Sequence, residues 1–80
     1  MKLPRDISAG DLIKILHKIG YEVTRQKGSH IRLTYSNDNL SHHITIPNHN
    51  PIKIGTLNNI LKDLSDFLKK SKDEILTKYF

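Results

Sequence analysis

The spacing of apolar residues changes period twice along this chain, and that change limits the fold more than any other feature. Leu12, Ile13, Ile15, Leu16 and Ile19 recur at helical spacing. Tyr21 and Val23, then Ile31, Leu33 and Tyr35, then Ile44 and Ile46 each alternate with polar residues, the pattern of half-buried strands. Leu57, Ile60, Leu61, Leu64, Phe67 and Leu68 return to helical spacing. The sequence therefore predicts a helix, three strands and a second helix.

Boundary residues agree with that reading. Ser8 can cap the first helix, with Asp11 three residues later in its first turn. Gly20 ends that helix where a residue of positive φ is wanted. Gly28-Ser29 and Ser36-Asn37-Asp38-Asn39 are turn signals, and Pro47 stops the third strand. Residues 48 to 53 read as a loop, and the second helix is expected to start near Gly55-Thr56. Ser71-Lys72-Asp73-Glu74 has capping-box spacing, so a further short helix is expected there, with Ile75, Leu76, Tyr79 and Phe80 on its apolar side. Hairpin links make the sheet antiparallel, and two helices on one face leave the other face open. The expected class is α+β, in the α-β-β-β-α layout of the double-stranded-RNA-binding-like fold, with residues 1–80 as a single domain.

Composition excludes several functions. Eighty residues bury only roughly 60% of the surface exposed by the unfolded chain, which leaves no room for a deep cofactor cleft. With two Phe, three Tyr and no Trp, Ile and Leu must fill the core. The absence of cysteine removes disulfides, thiolate zinc sites and cysteine nucleophiles. Leu12 to Ile19 is the longest apolar run, and Lys14, His17 and Lys18 break it, so no membrane span or signal segment is read and a cytoplasmic protein is expected. Thirteen Lys plus Arg against eight Asp plus Glu give a net charge of +5, which favours polyanionic partners.

Alternation assigns Thr24, Gln26, His30, Arg32, Thr34, His43 and Thr45 to the open face. His30 follows the Gly28-Ser29 turn, close to Lys27 and on the face of Arg32. Metal-free RNA cleavage requires a group that takes the proton of a ribose 2′-OH, a proton for the departing 5′-oxygen and a cation beside the phosphate. A histidine next to Arg and Lys meets part of that demand, and backbone amides of the Gly-Ser turn can donate to phosphate oxygen. A surface histidine at a strand start is the plainer reading of His30 from the residues alone. His42 and His43 point to opposite faces and cannot readily share a metal with His49, and no His-Glu-x-x-His pattern is present, so no metal site is assigned. Phosphate-loop and dinucleotide fingerprints are absent, and Ser29 has no triad around it.

Two blocks of sequence resemble one family. Gly20-Tyr21-Glu22-Val23-Thr24-Arg25-Gln26-Lys27-Gly28-Ser29-His30 is similar to the stretch in HicA toxins (YcfA-like proteins) that runs from a Gly-aromatic pair through a strand to Gly-Ser-His. Ile46-Pro47-Asn48-His49, followed by Gly55-Thr56-Leu57 and Ile60-Leu61, resembles that family's Pro-x-His loop and Gly-Thr-Leu helix start. The resemblance spans roughly residues 8 to 64. It implies a fold similar to the double-stranded-RNA-binding domain and a ribosome-independent messenger-RNA endonuclease that needs no cofactor. It also implies that His30 is catalytic and that a HicB antitoxin blocks the site, the antitoxin supplying DNA binding when the pair represses its operon. Lys27, Gly28, Ser29 and Arg32 are the candidate RNA contacts. The chain departs from the family in Asn58-Asn59, where basic residues often follow Gly-Thr-Leu, and in its longer tail, residues 65 to 80.

Two other readings stand beside the nuclease. A non-catalytic RNA-binding module of the same fold would carry a lysine cluster at the start of its final helix, for which Lys53 and Asn58-Asn59 are a poor substitute. A domain that binds only another protein would show neither RNA binding nor toxicity.

Overall fold

The computed structural model describes residues 3–80. Its elements are α1 (Ala9–Ile19), β1 (Tyr21–Lys27), β2 (His30–Asn37), β3 (Leu40–Pro47), α2 (Ile54–Leu68) and α3 (Lys72–Tyr79). This is the α+β order read from the sequence, with the additional C-terminal helix. The strands form one antiparallel sheet in the order β1-β2-β3, which puts β2 at the centre.

Local chemistry sets most of the boundaries. At the start of α1, Ser8 Oγ accepts from the Asp11 amide at 3.0 Å and the Asp11 carboxylate accepts from the Ser8 amide at 3.3 Å, a complete capping box. Ser71 and Glu74 repeat the arrangement at the start of α3. Gly20 closes α1 at φ 129°, with its amide donating to the carbonyls of Leu16 and His17. Helix α2 starts at Ile54, next to the expected Gly55-Thr56. Its N-cap is Lys53, which makes no side-chain capping bond, so no hydroxyl or carboxamide marks the boundary. The β2–β3 turn also narrows to Asp38-Asn39, because Ser36 and Asn37 still pair with Ser41 and Leu40.

The three helices and one face of the sheet enclose a single apolar core. Leu12, Leu16, Leu33, Ile46, Leu57, Leu61, Leu64 and Ile75 are fully buried in it, each worth roughly 1.5–3 kcal/mol of transfer free energy. Leu76, Tyr79 and Phe80 pack against its edge, so α3 completes the core.

An aromatic corner fastens β1 to β3 and α2. Tyr21 is buried and its hydroxyl lies 2.7 Å from His42 Nδ1. The His42 ring stacks on Phe67, with centroids 4.3 Å apart and planes 9° from parallel. Tyr35 meets both Tyr21 and Phe67 at tilted angles. Burial, then the negative charge of Asp63 and the neighbouring Tyr35, push the Tyr21 phenol well above its ordinary range, so it stays protonated and available as a donor to His42.

Candidate functional site

Cross-strand pairing arranges the open face in rows. Lys27, His30 and Pro47 form the first, at the end of the sheet that carries the Gly28-Ser29 turn. Arg25, Arg32 and Thr45 form the second. Glu22, Thr34 and His43 form the third. Successive rows are about 6.7 Å apart, two residues along a strand.

A bulge decides who stands in the second row. Register slips between Val23 and Arg25, leaving Thr24 as the extra residue. Beyond it the parity of β1 reverses. Arg25 pairs with Arg32 on the open face, whereas Gln26 pairs with Ile31, whose side chain is in the core. The assignment of Gln26 to the open face is therefore corrected, and Arg25 takes its place. Thr24 remains on that face, with its Oγ1 2.8 Å from Thr34 Oγ1. Simple alternation cannot find Arg25, because one unpaired residue inverts everything after it.

Arg25, Lys27, Gly28, Ser29, His30, Arg32 and Thr45 line a shallow concavity of about 720 Å³. All five residues singled out from the sequence, His30, Lys27, Gly28, Ser29 and Arg32, lie together here. Its lining holds three permanent cations, one imidazole and no carboxylate. Arg25 and Arg32 face each other across a strand pair, where like charges repel. A bound anion would relieve that repulsion, and both guanidiniums can grip phosphate oxygens through paired N–H groups.

The turn that presents His30 is held from two sides. Gly28 has φ 58°, and Ser29 is not in the positive-φ region, the pattern of a type II′ hairpin turn with glycine first. The Asn48 amide donates to the Ser29 carbonyl at 2.6 Å, tying the segment after β3 to the turn before His30. That segment is bound in turn to α1, because the Ala9 amide donates to the His49 carbonyl and to Asn50 Oδ1, each at 3.2 Å. The Ile52 amide also donates to the Ile7 carbonyl at 2.7 Å.

The remaining histidines lie elsewhere. His49 acts through its backbone, and its side chain is exposed outside the concavity lining. His42 belongs to the aromatic corner. His17 is exposed, with Nδ1 3.2 Å from the Glu22 carboxylate. His43 is on the open face but two rows, about 13 Å, from His30. Among the described residues no three His, Cys, Asp or Glu side chains gather to hold a metal ion. No described helix is long and apolar enough to cross a membrane.

An imidazole among three cations, reachable from solvent and backed by turn amides, can move a proton beside a phosphodiester. No curated protein and no solved structure matches the chain. The family described as HicA toxin of bacterial toxin-antitoxin matches residues 9–65, which contain the whole sheet, the Gly28-Ser29-His30 turn and most of α2, and the chain belongs to that toxin family.

Proposed function

We propose that the protein is a metal-independent endoribonuclease that cleaves messenger RNA with His30 as its proton-transfer group. Membership in the family makes the chain the toxin of a toxin–antitoxin pair, with an antitoxin as its partner. The observation that carries the nuclease reading is the position of His30 among Arg25, Lys27 and Arg32, with no carboxylate in the lining.

In the proposed reaction His30 accepts the proton of a ribose 2′-OH. The 2′-oxygen forms a bond to the adjacent phosphorus, the bond from phosphorus to the 5′-oxygen breaks, and that oxygen takes a proton from solvent. The products are a 2′,3′-cyclic phosphate and a 5′-hydroxyl, and His30 returns its proton to water. Arg25, Lys27 and Arg32, which line the concavity with His30, offset the charge that builds on the phosphate, and the amides of Gly28 and Ser29 donate to its oxygens. No cofactor takes part. A HicB-type antitoxin neutralises the toxin in the cytoplasm by covering this face.

The test is cleavage of a mixed messenger-RNA substrate in EDTA by wild type and His30→Ala purified in parallel. Cleavage by wild type alone, leaving cyclic phosphate ends, supports the reading. Equal cleavage by both proteins removes His30 from the chemistry. Binding without cleavage by both makes the chain a non-catalytic RNA-binding module, a reading weakened by the uncharged first turn of α2.

A further inference from the structure

The third row of the open face differs in character from the first two. It holds no cation, and the carboxylate of its one acidic member, Glu22, lies 3.2 Å from His17 Nδ1 near the end of α1. The row therefore offers a phosphate no cationic partner. What the row offers is the flat, exposed ring of His43. That ring is held in place. Its Nδ1 is 2.9 Å from Thr34 Oγ1, which is 2.8 Å from Thr24 Oγ1, and Thr24 Oγ1 also donates to the Arg32 carbonyl at 3.4 Å. Thr24 is the extra residue of the bulge, so the same irregularity that sets Arg25 facing Arg32 also supplies the hydroxyl supporting Thr34.

An outward histidine on a solvated sheet face would sample several rotamers. This one is pre-ordered, which lowers the entropy lost when something binds to it. Splayed RNA bases are taken up by stacking on aromatic side chains, histidine among them. We infer that His43 is a base-stacking subsite for the RNA strand. The reacting phosphate lies against His30 and Lys27, within reach of the Arg25–Arg32 pair of the second row, and a base rests on the His43 ring. The span from first row to third is about 13 Å, a length an extended single strand covers in about two nucleotides. This placement rests on the nuclease reading, whereas stacking at His43 does not.

The experiment uses a fluorescent oligoribonucleotide made uncleavable by 2′-deoxy substitution, with binding followed by anisotropy for wild type, His43→Ala, His43→Phe and Thr34→Val. His43→Ala is expected to weaken binding about tenfold, within the range for loss of one base–aromatic stack. His43→Phe keeps a stacking face and holds affinity within about twofold of wild type. Thr34→Val, which frees the ring, falls between the two. An abasic site at the stacked position abolishes the difference between wild type and His43→Ala. On a cleavable strand the loss falls on KM rather than kcat. Unchanged affinity in His43→Ala, or Phe as weak as Ala, overturns the subsite. A wild type that cuts no RNA but binds the uncleavable strand through His43 overturns the nuclease reading and leaves the subsite standing.

Discussion

The amide of Asn48 donates to the carbonyl of Ser29 across 2.6 Å. One residue follows the end of β3, and the other precedes the histidine at the start of β2. This bond joins the two sequence blocks that identify the family, which lie about twenty residues apart in the chain and side by side in the fold. The Pro-x-His loop thus serves His30 through its backbone. It fixes the Gly-Ser turn, and the Ala9 amide fixes the loop.

Two glycines frame β1, and their replacement should separate strain from collision. A Cβ at Gly28 would meet nothing within 4 Å, but the residue sits at φ 58°. Gly28→Ala is expected to cost about 1 kcal/mol from backbone strain alone, and Gly28→Asn less, since Asn tolerates that region. At Gly20, φ is 129° and a Cβ would lie 2.7 Å from Tyr35 Cε2. Tyr35 is wedged between Tyr21 and Phe67 and has little room to yield. Gly20→Ala is expected to cost about 3 kcal/mol, strain and overpacking together. Urea denaturation of the variants measures the order, and equal losses at the two sites would contradict it.

The tail beyond the matched residues 9–65 can be tested the same way. Ile75 has no exposed surface, whereas Thr77 and Lys78, on the same helix, are exposed. Ile75→Ala should cost about 3 kcal/mol, and Thr77→Ala or Lys78→Ala no more than about 0.5 kcal/mol. A small loss at Ile75 would mean that α3 is an appendage and not part of the core.

How much of this could be read in the sequence depends on whether each feature is encoded locally. Both serine capping boxes, the Gly20 stop and the Gly28-Ser29 turn were legible because one or two residue types carry each geometry. His30, Lys27 and Arg32 were legible as neighbours because the hairpin register follows from a two-residue turn. The bulge at Thr24 was not, since Val-Thr-Arg-Gln has no turn residue and the slip is defined only against β2. The start of α2 was legible to within a residue from Gly55-Thr56, although Lys53 caps it without a side-chain bond. The partnership of His42 with Tyr21 and Phe67 joins three distant segments, and only its inner parity was visible.

Tyr21 should leave a pH signature. Its phenol is raised above the ordinary value of 10.0 by burial first and by Asp63 next. The folded protein therefore keeps the proton at a pH where the unfolded chain releases it. The stability this represents is fully present below pH 10 and is lost as pH rises above it. Wild type and Tyr21→Phe should give superimposable tyrosinate absorbance up to the alkaline unfolding transition. The variant's stability should then fall less steeply with pH on the alkaline side. A reversible Tyr21 signal in the folded protein near pH 10 would contradict the buried hydrogen bond to His42.

The bulge makes the sharpest test of the site, because sequence alternation and the structure disagree about two adjacent residues. Alternation puts Gln26 beside Arg32 and turns Arg25 inward, whereas the observed register puts Arg25 opposite Arg32 and Gln26 opposite Ile31. If the concavity receives RNA phosphate, Arg25→Ala should weaken single-stranded RNA binding about tenfold, as loss of a charge-assisted hydrogen bond does. It should also reduce the slope of log affinity against log salt by about 0.7, the counterion release for one phosphate on a single strand. Gln26→Ala, on a side chain outside the concavity, should leave affinity within about twofold and the salt slope unchanged. Deleting Thr24 refines the comparison. With the extra residue gone, Val23 and Arg25 still face Leu33 and Arg32, now in unbroken register, so the arginine keeps its row and its phosphate contact while the hydroxyl behind Thr34 is lost. A Gln26 effect as large as that of Arg25 would mean that β1 pairs without the slip, and the cationic row would lose its second arginine.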